Sequence, residues 1–93
     1  MDSNFSQNQD KKGSEQGQSE KQSSLILHND DHNSFDFVME TLEDVCSHTM
    51  TQAEQCATIA HYKGKCEILR GELNELKPLK KELQSRGLSV TIE

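Results

Sequence analysis

Residues 25–42 read LILHNDDHNSFDFVMETL, and this stretch decides the fold. Leu25, Ile26 and Leu27 form an apolar run behind polar Ser23 and Ser24, the pattern of a short buried strand. The run stops at HNDDHNS, where Asn and Asp side chains can bond their own backbone and so favour a turn. Asn33 then stands where an N-cap belongs, with Asp36 at N3 and Val38, Leu42 and Val45 at i, i+4 and i+7. This predicts a first helix over about residues 34–46.

Downstream, Thr51 and Glu54 have the spacing of a second capping box, and Ala53, Ala57 and Ala60 put a stripe of small residues along a helix ending before Gly64. Residues 65–70 (KCEILR) alternate as a half-exposed strand does, and Gly71 ends them. Leu73, Leu76, Leu79 and Leu83 then mark a third helix over about residues 72–85, in which Pro78 removes one backbone donor and is expected to break or kink the early turns. Gly87 is placed as the residue that ends this helix. Leu88, Val90 and Ile92 alternate with Ser89 and Thr91 as in a strand with one face on a core. The order βααβαβ predicts an α+β fold of two layers, a three-stranded antiparallel sheet with three helices on one face.

Upstream, residues 1–24 hold only Met1 and Phe5 as hydrophobes among Ser, Gln, Asn, Asp, Glu, Lys and Gly. Such a segment buries too little apolar surface to offset chain entropy, so a disordered extension over residues 1–24 and a folded domain over residues 25–93 are predicted. A chain of 93 residues, 31% of them hydrophobic, excludes a two-domain enzyme with a deep cleft. A domain this small buries only about 60% of the surface its unfolded chain exposes, which leaves no room for an enclosed cofactor, and none is predicted.

Charge narrows the partners. Sixteen acidic against ten basic residues give a net charge of -6, which disfavours nucleic acid and anionic membrane, whose phosphates need a basic face. No apolar run approaches the roughly 20 residues of a bilayer span, and the amino terminus lacks the apolar stretch of a secretory signal, so a cytoplasmic protein is predicted. Cys46, Cys56 and Cys66 are odd in number and show no C-x-x-C pairing, so free thiols are expected and no metal site. A metal-binding regulator, using these cysteines with His48 and His61, would need tertiary packing to assemble it.

The densest polar cluster is HNDDHN, residues 28–33. Carboxylate and amide oxygens crowded into one turn suit an ammonium group, and equally serve to shape the turn and complement a helix dipole. His61 near a helix end either bonds free carbonyls or offers an imidazole to a ligand. The alanine stripe fits close helix packing, or one wall of a hollow beside Phe35 and Val38. No G-x-S-x-G elbow and no H-E-x-x-H appear, so a binding role rather than catalysis is predicted.

The strings LILHNDDHNSFDFVMETL and AHYKGK, with the closing RGLSVTIE, resemble the ClpS family of protease adaptors over residues 25–93. The resemblance implies a non-enzymatic adaptor that binds substrate proteins by a bulky hydrophobic N-terminal residue, an N-degron, and delivers them to a AAA+ Clp unfoldase. It assigns the substrate α-amino group to Asn29, Asp30 and His61, and the first side chain to a pocket of Phe35, Val38, Ala57, Ala60 and Leu88. Asp31 and Asn33 serve as turn and helix cap. Unfoldase contacts correspond to Glu72, Glu75 and Lys77, and the extension becomes a handle for delivery. Where many members have Thr, Pro and Met after the acidic turn, this chain has Asn33, Ser34 and Phe35, and a second Met that often gates the pocket is replaced by Ala57. The pocket should therefore be narrowed at Phe35 and widened at Ala57. The same topology also resembles the C-terminal domain of the ribosomal stalk protein, which makes a module contacting translation factors the alternative.

Overall fold

A computed structural model describes residues 22–93. The elements follow the order β1 (Ser23–His28), α1 (Phe35–Cys46), α2 (Met50–Lys63), β2 (Lys65–Gly71), α3 (Leu73–Ser85) and β3 (Val90–Ile92). The three strands form one antiparallel sheet in the order β2-β1-β3, as the α+β reading requires. The extension expected over residues 1–24 lies, but for its last three positions, outside the described residues. Ser23 and Ser24 belong to β1 instead, with Ser24 exchanging two backbone bonds of 2.8 Å with Glu93.

The unbroken apolar run of β1 follows from its central place. Leu25 and Leu27 enter the core with Leu42 of α1, Ala53, Cys56 and Ala60 of α2, Ile68 of β2, Leu76 and Leu83 of α3, and Val90 of β3. Ile26, on the alternate face, is also buried but outside that cluster. Leu25, Leu42, Leu76 and Leu83 are fully buried, one from the central strand and the others from α1 and α3. Between Leu25 and Ile26 the ladder slips, Leu25 facing Leu69 and Ile26 facing Glu67, so Ile68 is the extra residue of a β-bulge.

The helix ends correct three expectations. Ser34, not Asn33 or Asp31, caps α1, its hydroxyl accepting from the Phe37 amide at 3.0 Å. Asn33 is drawn away because its side-chain amide donates to the Gly87 carbonyl at 2.8 Å. The capping box of α2 is Thr49 with Gln52 rather than Thr51 with Glu54, since Ser47 (φ 57) already turns the chain out of α1 and leaves Thr49 extended. Pro78 does not break α3, which runs from Leu73 to Ser85 and is held by Leu76 and Leu83 in the core, with Leu79 packed against them. At the far end Gly87 (φ 95) donates to Gln84 and Leu88 donates to Leu83, a Schellman motif that turns the chain into β3. Among the described residues no helix is long and apolar enough to cross a membrane.

Candidate functional site

The turn after β1 is organised by one carboxylate. Asp30 Oδ1 accepts from the backbone amides of His32 at 2.9 Å and Asn33 at 3.0 Å, and Asp30 Oδ2 accepts from Asn33 Nδ2 at 3.1 Å. Asn33 also reaches Gly87, so the acidic turn is tied to the loop entering β3. Partial burial of Asp30 works to raise its pKa, but the bonds from Asn33 and His32 outweigh this and hold it below the usual carboxylate value. An ionised carboxylate has about four acceptor positions, so Oδ2, with one bond at ordinary length, keeps capacity for a further donor.

A second tie brings the turn to α2. The Asn29 amide donates to the Gly64 carbonyl at 2.9 Å, and Gly64 is the left-handed residue (φ 96) that closes α2. His61 and Lys63 occupy the last turn of that helix. The acidic turn therefore meets the negative end of a helix dipole, which Lys63 in the helix's last turn partly offsets. His61 packs edge-on against Tyr62, their rings 4.9 Å apart and 82° between planes.

Beside this junction lies a cavity of about 600 Å³. It is lined by Asn29, Asp30 and His61 on its polar side and by Phe35, Val38, Ala57 and Ala60 on its apolar side, with Asp31 and Asn33 at the turn. One assignment does not hold geometrically. Leu88 is buried in the core cluster, because the Schellman turn directs it inward, and it does not line the cavity. Leu27, from the apolar run, His28, from the polar cluster, and Thr58 and Tyr62 also line it, none of them assigned to the site from the sequence. Thr58 and Tyr62 flank His61 on the same stretch of α2, and proximity to that histidine was the available signal.

Phe35 is 42% exposed and Tyr62 79% exposed, whereas Ala57 and Ala60 are buried, so the aromatic side chains stand toward solvent and the alanines form the inner wall. Glu72, Glu75 and Lys77 are exposed around the first turns of α3 and do not line the cavity. Cys46, Cys56 and Cys66 are free thiols, and among the described residues no group of three or more His, Cys, Asp or Glu is placed to hold a metal ion.

Fold and cavity define a small two-layer α+β module with a mixed pocket, polar at a turn and helix end and apolar between two helices. The chain belongs to the ClpS family: residues 18–91 match the model of the ATP-dependent Clp protease adaptor protein ClpS. It is 38% identical over 56 residues to an ATP-dependent Clp protease adapter protein ClpS of Edwardsiella ictaluri, a match that takes in 58% of this chain and spans about half (53%) of that relative's length. Among solved structures it resembles Agrobacterium tumefaciens ClpS2 bound to L-phenylalaninamide, with a TM-score of 0.69 and 22% identity over 81% of this chain and 98% of the other. That likeness establishes the fold. The family assignment selects the adaptor class over the ribosomal stalk domain.

Proposed function

We propose that this chain binds substrate proteins by their first residue, the α-amino group held by Asn29, Asp30 and His61 and the side chain entering the cavity walled by Phe35, Val38, Ala57 and Ala60. The observation that carries this reading is the meeting of an acidic turn, a helix C-terminus and an apolar wall around one opening. A free α-amino group has a pKa of about 7.7–8.0 and is largely cationic at neutral pH, while an internal amide is neutral. A site negative at its mouth and apolar inside thus selects a chain end with a large side chain over a mid-chain segment. The ClpS2 relative was solved with L-phenylalaninamide, a molecule with a free amino group, a phenyl ring and an amide in place of the next peptide bond. Its parts suit the polar and apolar sides of this cavity in turn.

The bound substrate is then delivered to a AAA+ Clp unfoldase. Glu72, Glu75 and Lys77, exposed and separate from the cavity, are the surface assigned to that partner, and no catalytic step is assigned to the adaptor. The test titrates a labelled peptide beginning with Phe beside its N-acetylated twin, against the wild-type chain and Asp30→Ala. Losing one charge-assisted contact should weaken binding by about 1.5–3 kcal/mol, in both the acetylated peptide and the variant. If acetylation leaves affinity unchanged, the reading fails.

A further inference from the structure

A second hollow, of about 220 Å³, lies between α2 and β2 and is lined by His48, Gln52, Cys56, Ile59, Cys66 and Ile68. None of these residues takes part in the binding site. Two of its thiols converge on one acceptor: Cys66 Sγ lies 3.4 Å and Cys56 Sγ 4.0 Å from the carbonyl oxygen of Glu67. The β-bulge at Ile68 shapes the same wall, because the Ile68 carbonyl accepts from His48 Nε2 at 3.0 Å. A carbonyl can only accept, so Nε2 is the donor of this bond, and His48 Nδ1 is buried without a partner.

We propose that Cys56 and Cys66 are a redox pair, which a hydroperoxide closes to a disulfide tying α2 to β2. Access sets the order of events. Cys66 is half-buried on an edge strand, whereas Cys56 is 3% exposed and its thiol is pushed up by burial, with Cys66 and Cys46 adding to the shift. The Cys66 sulfur attacks one oxygen of hydrogen peroxide, the O–O bond breaks, and the departing hydroxide takes the Cys66 thiol proton, leaving Cys66 sulfenic acid and water. The Cys56 sulfur then attacks the Cys66 sulfur. The S–S bond forms, the S–O bond breaks, and the departing hydroxide takes the Cys56 proton to become a second water. Two thiols are oxidised by two electrons while one hydroperoxide is reduced. Cys46 neither lines this hollow nor shares the Glu67 carbonyl, which leaves it outside the reaction.

The experiment treats the full chain with hydrogen peroxide, denatures it, alkylates the remaining thiols and maps the peptides by mass spectrometry. The expected result is loss of two hydrogens, one alkylated cysteine where the untreated chain has three, and a cross-linked peptide joining Cys56 to Cys66 that dithiothreitol separates. Cys46→Ser should keep the cross-link and Cys66→Ser should abolish it. Because the wild-type peptide map needs no variant, misfolding of a mutant does not protect the proposal. Three alkylated cysteines after treatment, Cys66 carried to sulfinic acid without a cross-link, or a cross-link to Cys46 would each overturn it.

Discussion

The Asn29 backbone amide and the Gly64 carbonyl are joined by a hydrogen bond of 2.9 Å, which carries the β1–β2 ladder one step past His28 and Lys65 and sets the acidic turn against the end of α2. Two segments separated in sequence thereby share one cavity.

The geometry at Gly64 can be tested without touching a side chain of the site. Its φ of 96° is left-handed, and a Cβ added there would meet nothing within 4 Å, so Gly64→Ala probes backbone strain alone. The left-handed conformation costs a residue with a Cβ about 1–2 kcal/mol. Thermal or urea unfolding should register that loss, and affinity for a Phe-initiated peptide should fall as the turn loosens. Unchanged stability would mean that the αL position is dispensable.

Asp30 makes the domain acid-sensitive. Its folded pKa lies below the value of 3.8 for an unperturbed Asp, burial being outweighed by bonds from Asn33 and His32. The carboxylate therefore contributes stability in full above the unfolded value, and this contribution is lost as the pH falls through the folded one. The stability gap between wild type and Asp30→Ala should be widest above about pH 5 and shrink in more acid solution. Urea melts at a series of pH values measure it, and a gap that grows on acidification would contradict the assigned bonds.

Pocket shape is set by Phe35 at the solvent side and Ala57 within. Peptides beginning with Leu, Phe, Tyr, Trp, Ile and Val should therefore differ in affinity, and Ala57→Met should lower binding of the largest first residues most. Filling such a space costs about 1–3 kcal/mol. Isothermal titration across the series checks this, and equal affinity for all six peptides would remove the pocket assignment.

Deleting residues 2–20 removes a segment almost without hydrophobes and leaves every cavity residue in place. Peptide affinity should be unchanged while substrate transfer to the unfoldase falls. Intact transfer in a reconstituted degradation assay would rule out a role as a handle.

Much of the fold was legible because it rests on short-range pattern. The run Leu25–Ile26–Leu27 marked a buried strand, the leucine stripe marked α3, and alternation marked β3. Caps were misplaced where neighbours compete. Asn33 has the chemistry of an N-cap, but a distant carbonyl at Gly87 claims its side chain and Ser34 takes the position. Leu88, which the resemblance assigned to the pocket, lies in the core, as the alternation of its segment allowed.

By itself the sequence determined the order of strands and helices and the acidic turn, because periodicity and side-chain chemistry are local properties, and its family resemblance supplied the candidates Asn29, Asp30 and His61. Only the tertiary structure decided that these groups share an opening with Phe35, Val38, Ala57 and Ala60, that Thr58 and Tyr62 join them, and that Cys56 and Cys66 meet at one carbonyl. Those contacts depend on a glycine's left-handed turn, a slipped ladder and one hydrogen bond between Asn29 and Gly64, none of which has a period to read.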